Sequence, residues 1–227
     1  MQIQDQTNYK YIKLEEIRKE GKYCFIDFDY TIANFGTAKF ELLRMLEVFG
    51  LTKELWDRLY LKHKNDIHVF MEKDFVKELS ETINLEEVKL REIFDSVWDN
   101  YSKYIYYDVE DFLSRNKDEN LFVFSLGAED FQLQKLVSTG LSKYFKGAYY
   151  TKIPKGQAIV QIAKDLDISE LTLIDDRKLN LDEIKKTMST GEVTVNYYLL
   201  QRPKGQYSSY IEEVDTEYNV IKSLSEI

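Results

Sequence analysis

One cysteine, two prolines, nine glycines and two histidines among 227 residues deny the chain several architectures. A lone Cys24 cannot close an internal disulfide, which excludes a disulfide-stapled scaffold, and its place in the apolar run YCFI marks it as a packing residue. His63 and His68 stand five apart instead of at the i,i+4 spacing of a zinc helix, and no HExxH occurs, so both read as surface or packing residues. The scarcity of Gly and Pro leaves no flexible linker, and neither an internal repeat nor a low-complexity tract is found. No uncharged apolar run approaches the roughly 18 residues that cross a bilayer. The N-terminal stretch MQIQDQTNYKYIKLEEIRKE interleaves acids and bases where a signal peptide would be continuously apolar, and the expected location is therefore cytoplasmic. Basic surplus is missing as well: the net charge of −9, with Lys and Arg dispersed, speaks against nucleic-acid binding. Two phosphate-binding signatures are absent, the Gly-Lys-Ser/Thr end of a P-loop and GxGxxG.

What the chain does have is 44% hydrophobic and 31% charged residues, the balance of a globular protein that folds in water. Its 17 tyrosines, including YIYY at 104–107, Tyr149-Tyr150 and Tyr197-Tyr198, fall mostly in or beside predicted core elements and are assigned to packing. Five short apolar, β-rich runs read as strands: 22–27, 121–125, 147–151, 171–175 and 193–200. Those ahead of Ser125 and Asp175 are nearly continuous in apolar residues, as suits strands buried on both faces of a parallel sheet. Helical patterns at 128–139 and 155–166 fit crossover connections. The expected fold is α/β, a doubly wound, mainly parallel Rossmann-like sheet.

The interval between the first two strands is too long for a single crossover and reads as helical throughout. Phe40, Leu43 and Leu46 open it at helical spacing; Gly50 is a stop, and Thr52 caps a segment with Leu55, Trp56 and Leu59. Asp66 is a cap for a third helix with Ile67, Phe70, Met71, Phe75 and Leu79 on one face. Asn84 with Glu87 has the form of a capping box opening a helix with Val88, Phe94, Val97, Trp98 and Tyr101. The expected division is a core of residues 1–34 and 108–227 with a helical cap, 35–107, inserted over the carboxyl edge of the sheet as a lid.

In open α/β sheets ligands bind beyond the carboxyl ends of the strands. Asp27, Asp29 and Thr31 follow the first strand, Ser125 ends the second, Lys155 follows the third after a short loop, and Asp175 and Asp176 end the fourth. Carboxylates, an ammonium and hydroxyls on one edge are the set needed to hold a divalent cation and a phosphate together. A hard cation such as Mg²⁺ takes oxygen ligands, commonly one or two carboxylates with substrate phosphate oxygens, which Asp27 and Asp176 can supply. A carboxylate also attacks phosphorus directly, and Asp27 is the natural nucleophile. Lys155 and the metal would offset charge on the equatorial oxygens while Thr31 or Ser125 donates hydrogen bonds. Asp29 is left for proton transfer to the leaving oxygen and from the attacking water. A lone DxD is a weak signal, shared with some glycosyl-transfer enzymes, but four such signals in order are not. An EF-hand is excluded because Ile32 stands where the calcium loop needs Gly.

These segments resemble the motifs of the haloacid dehalogenase-like hydrolases across most of the core. FIDFDYTI is similar to the first motif, DxDxT after a strand, and FSLG, ending at Ser125 and Gly127, to the second. STGLSKYFKGAYYTKIPKGQAIVQIAKDL resembles the connection into the third, a lysine opening a helix, and LIDDRKLN resembles the fourth, paired acids with a polar residue four positions on. The resemblance implies Asp27 as nucleophile and metal ligand and Asp29 as acid/base with a metal-binding carbonyl. It implies Ser125 and Lys155 as phosphate ligands and Asp176 as second metal carboxylate, with Asp175 beside it. It further implies Mg²⁺ as cofactor and, from a cap placed after the first motif, a small phosphorylated metabolite such as a nucleotide or sugar phosphate as substrate.

Two departures stand out: Asn180 occupies a position where the family often has an acid, and Lys152 competes with Lys155, which is preferred because KGQAIVQIAKDL begins a helix there. The activity expected is phosphomonoester hydrolysis through an aspartyl-phosphate. The alternatives are a non-catalytic phosphate- or metal-binding regulatory module, phosphotransfer to another acceptor, and dehalogenation without metal. RPKG, at 202–205, reads as a loop, with partner contact as the second possibility; oligomeric state is not encoded legibly.

Overall fold

The structure, a computed structural model, describes residues 3–6, 9–63, 70, 72–189, 193–202 and 217–227, with the side chains of 3–6 excepted. Its centre is a sheet of eight strands: β1 (Ile3–Gln6), β2 (Tyr9–Lys13), β3 (Tyr23–Ile26), β4 (Asn120–Leu126), β5 (Gly147–Thr151), β6 (Glu170–Asp175), β7 (Thr194–Leu200) and β8 (Asn219–Ile221). They lie in the order β1-β2-β5-β4-β3-β6-β7-β8. From β5 to β8 all neighbours are parallel, and β1 and β2 add an antiparallel edge beyond β5. The five expected strands are the five that run from β5 to β7. β1, β2 and β8 extend both edges beyond the expectation.

Side chains alternate across the sheet, so each strand feeds two cores. Ile26, Val123, Ala148 and Ile174 point to one face, and Phe25, Phe122, Tyr149 and Leu173 to the other. The second face is covered by α7 (Lys155–Asp165) and α8 (Lys178–Met188), the first by α5 (Val109–Arg115) and α6 (Glu129–Ser138), whose apolar residues share its cluster. Cys24 packs in the first core, where burial pushes its thiol up to about 12.

Between β3 and α5 come α1 (Phe35–Leu46), α2 (Lys53–Lys62), α3 (Glu72–Ile83) and α4 (Glu87–Trp98). The Thr52 hydroxyl accepts the Leu55 amide at 3.2 Å, as a cap should, and Gly50 adopts φ 87°, the left-handed stop its lack of a side chain permits. The expected capping box at Asn84 is not formed. Asn84 instead has φ 52° and ends α3, with the Leu85 amide bonded to the Ser80 carbonyl at 3.0 Å, a Schellman-type closure in which Asn replaces Gly. Val88 is exposed and faces away from the bundle, while Tyr101 lies in the 3-10 turn after α4. Asp66, Ile67, His68 and Met71 lie outside the described residues; Phe70 packs against Tyr60 and Phe75. His63 pairs with Glu78 at 2.8 Å and packs edge-on to Phe75. No helix among the described residues is long and apolar enough to cross a membrane.

The end of β7 carries a buried ion pair. Arg202 Nη1 donates to Asp108 Oδ2 at 3.1 Å, Nη2 lies 2.8 Å from Oδ1 as an ion-pair contact, and Nε donates to the Thr31 carbonyl at 2.8 Å, beneath the Tyr106 ring. Arg202 is thus an internal strut, and residues 203–205 lie outside the described residues. Burial acts to raise the Asp108 carboxyl, but Arg202, Ser223 and the Leu224 amide prevail and hold it below the usual carboxylate value. Its charge therefore stabilises the fold above the unfolded value of about 3.9, and that contribution is lost as pH falls through the lower folded value. Replacing Arg202 by Met should cost roughly 3–5 kcal/mol in urea unfolding at neutral pH, because it strands a buried carboxylate. Acidification should then narrow the gap between wild type and Arg202→Met. A variant as stable as wild type at pH 7 would contradict the strut.

Candidate active site

The first strand ends in a tight loop. The Asp27 amide still bonds to the Ile174 carbonyl of β6 at 2.9 Å, but Ile32 and Ala33 turn back onto the Phe28 carbonyl at 2.9 and 3.1 Å. Tyr30 sits at φ 65°, a left-handed conformation uncommon for a large side chain and held here by its amide bond to Ala33 at 2.7 Å. This reversal leaves the Asp27 side chain at the carboxyl edge of the sheet, next to the end of β6.

Register places the others. Ile26 pairs with Val123 on one side and Ile174 on the other, which sets Asp175 beside Asp27 and Ser125 two positions beyond Val123 on the adjacent strand. Lys155 opens α7, and its Nζ donates to Asp27 Oδ1 and Asp175 Oδ2, both at 2.7 Å. Lys152 is exposed. The approach of α7 depends on Gly156: a Cβ there would lie 2.8 Å from the Glu183 carbonyl of α8. Asn180 supplies its amide to both Asp175 oxygens at 3.0 and 3.1 Å, and the Arg177 amide adds a third donor at 2.8 Å. The asparagine in the fourth motif therefore orients Asp175, which in turn orients Lys155.

Asp27, Asp175 and Asp176 are all buried, and one ligand atom from each lies within 4.8 Å of the others. Three carboxylates gathered beside an ammonium offer oxygen donors of the kind a hard divalent cation takes. Asp175 is engaged by three donors, and Asp27 and Asp176 stand beside it as carboxylates that could hold a cation. Burial, together with Asp175 and Asp176, raises the Asp27 carboxyl to about 8 despite the opposing pull of Lys155. For Lys155, burial acts to discharge the ammonium, and Asp175 and Asp27 overcome it, so its affinity for the proton is raised. Thr31 is fully buried, and its hydroxyl has no partner among the described residues, while its carbonyl is held by Arg202.

No family model and no curated protein matches the chain. Solved structures do. A Burkholderia xenovorans LB400 protein assigned provisionally to the haloacid dehalogenase-like hydrolases superimposes with a TM-score of 0.71 at 13% identity, over 91% of this chain and 96% of its own. YfnB of Bacillus subtilis, provisionally a HAD-hydrolase and seen bound to magnesium, gives 0.58 at 16% identity over 92% and 97%. The L-2-haloacid dehalogenase of Xanthobacter autotrophicus gives 0.60 at 12% over 90% and 96%. The fold is that of the haloacid dehalogenase-like hydrolases.

Within that HAD-like fold, Asp29 has an unexpected partner. Lys135 Nζ of α6 donates to both Asp29 oxygens, at 2.7 and 2.6 Å, and Gln132 and the Tyr101 hydroxyl reach the same carboxylate at 3.3 Å each. Sequence reasoning did not single out Lys135. Helical spacing signals its burial, since Phe131, Gln132, Lys135 and Leu136 share one buried helix face, but it carries no signal of the pairing with Asp29.

The raised Asp27 carboxyl has a consequence for stability. Between 3.8 and about 8 the folded metal-free protein keeps a proton that the unfolded chain has released. The stability this contributes is complete below 3.8 and lost as pH rises through about 8. In metal-free protein Asp27→Asn, which mimics the protonated form, should therefore raise the thermal midpoint at pH 8 and change it little at pH 4. The same gain at both values would contradict a raised Asp27.

Proposed function

We propose that the protein is a Mg²⁺-dependent phosphomonoester hydrolase acting on a small phosphorylated metabolite through an aspartyl-phosphate at Asp27. The observation that carries this reading is Lys155 bridging Asp27 and Asp175 beside Asp176, a buried cluster whose carboxylate oxygens suit a divalent cation and whose ammonium suits a phosphate oxygen. Bound Mg²⁺ would be held by Asp27, Asp176 and the Asp29 carbonyl and would neutralise charge on the phosphate oxygens.

Asp27 attacks phosphorus; its oxygen–phosphorus bond forms as the bond to the leaving oxygen breaks, and Asp29 gives that oxygen a proton. Water then attacks the phosphorus with Asp29 accepting its proton, which releases phosphate and restores the Asp27 carboxylate. Lys155 and Ser125 steady the equatorial oxygens throughout, and Thr31 offers its unpartnered hydroxyl to the loop or to the phosphate.

Residues 35–107 serve as the cap over this edge, with 1–34 and 108–227 as the core. The segment leaves and returns at one place, since the Asn34 amide bonds to the Tyr104 carbonyl at 2.8 Å and the Tyr106 amide to the Ile32 carbonyl at 3.1 Å. Tyr101, within it, reaches Asp29. Such closeness favours small substrates over nucleic acids.

Assay of a panel of phosphorylated metabolites and an aryl phosphate with Mg²⁺, alongside 2-haloacids, tests the class and the substrate together. Wild type should release phosphate only with the metal, and Asp27→Asn should lower the rate on the order of 10³-fold or more. Equal rates in the two proteins, or halide release without metal, would overturn the reading.

A further inference from the structure

We propose that Lys135 is a positioning residue for proton transfer, holding the Asp29 carboxylate in the single orientation from which it serves the leaving oxygen. The proposal rests on the assignment of Asp29 as acid/base. Its basis is the geometry of the Lys135–Asp29 ion pair.

Lys135 is fully buried, whereas the Asp29 side chain keeps 25% of its surface exposed. The ammonium is ringed by Phe131, Phe35, Phe28 and Tyr101, with centroids at 4.6, 5.1, 5.6 and 5.6 Å. Phe28 and Phe131 come from the core, and Phe35 and Tyr101 from the segment proposed as the cap. An aliphatic residue would fill such an aromatic pocket without the desolvation cost of a charge, and apolar replacement of buried ion pairs is often neutral or stabilising. Among the described residues the carboxylate that hydrogen-bonds to Lys135 is Asp29, which it grips by both oxygens at 2.7 and 2.6 Å.

Such a two-point grip fixes the plane of the carboxylate. Rotation about its bond breaks one of the two strong contacts and the weaker ones to Tyr101 and Gln132 with it. The exposed part of Asp29 is then presented in a constant direction while its other side is tethered. Gly127 makes room for this arrangement, because a Cβ there would lie 2.6 Å from Gln132 Nε2. Orientation of this kind is what positioning contributes to rate.

The test compares Lys135→Met, Lys135→Arg and Asp29→Asn with wild type on two substrates, an aryl phosphate whose phenolate leaves unaided and an alkyl phosphate that needs a proton. Lys135→Met should keep KM near wild type, lose roughly 10- to 100-fold in kcat on the alkyl ester and only a few-fold on the aryl ester, following Asp29→Asn in kind. Lys135→Arg should recover part of the loss. A structural role would lower both rates equally, and that result, or no loss at all, overturns the proposal. Crystal structures of wild type and Lys135→Met give a readout independent of turnover: the Asp29 carboxylate should hold one orientation in wild type and swing away in the variant. An unmoved carboxylate overturns the proposal even in a protein that hydrolyses no phosphate ester. Failure of the hydrolase reading looks different, since wild type and Asp27→Asn would then be equally inactive. Lys135→Gln replaces the Met variant in every arm if the latter folds poorly.

Discussion

Two hydrogen bonds of 2.7 Å from the Lys155 ammonium, one to Asp27 and one to Asp175, allow three carboxylates to be buried at the end of a parallel sheet. Without that cation the desolvation of neighbouring acids would be prohibitive. Much of the surrounding architecture serves to bring the lysine there. Gly156 lets α7 close onto α8, so that the first residue of α7 reaches the edge of the sheet. Asn180 and the Arg177 amide saturate Asp175, leaving it as a fixed acceptor. Asp27 and Asp176, buried beside it, complete a carboxylate group that could hold a divalent cation.

A second lysine performs a parallel task on the other acid of the loop. Lys155 holds Asp27 from the face of the sheet covered by α7 and α8, and Lys135 holds Asp29 from α6 on the opposite face. The loop between them is strained at Tyr30 and secured from below by Arg202 on the Thr31 carbonyl. Three buried cations, each from a different element, thus define the path of one short loop. That is more constraint than a connecting turn requires, and it suits a loop whose two carboxylates must keep fixed relative positions.

The central strands were legible because burial on both faces makes them short, nearly unbroken apolar runs bounded by polar residues. The outer strands were not. β1, Ile-Gln-Asp-Gln, and β2, Tyr-Lys-Tyr-Ile-Lys, carry polar residues because they lie at or near an edge, and β8 is only three residues long. Asn84 misled because the same side chain suits a helix start and a left-handed helix end, and only the Leu85–Ser80 bond distinguishes them. Asp27, Ser125, Lys155 and Asp175-Asp176 could be placed together because each follows a strand end, so topology alone brings them to one edge. Lys135 and Arg202 could not, since their partners lie 106 and 94 residues away and no local pattern records such pairings.

The proposed chemistry turns on a covalent bond at one carboxylate. Borohydride trapping during turnover of a phosphorylated substrate with Mg²⁺, followed by peptide mass mapping, reads that bond directly, because reduction of an aspartyl-phosphate converts the residue to homoserine. The conversion should appear at position 27 and depend on both substrate and metal. Conversion at Asp29, Asp175 or Asp176, or none while hydrolysis proceeds, would contradict Asp27 as the nucleophile.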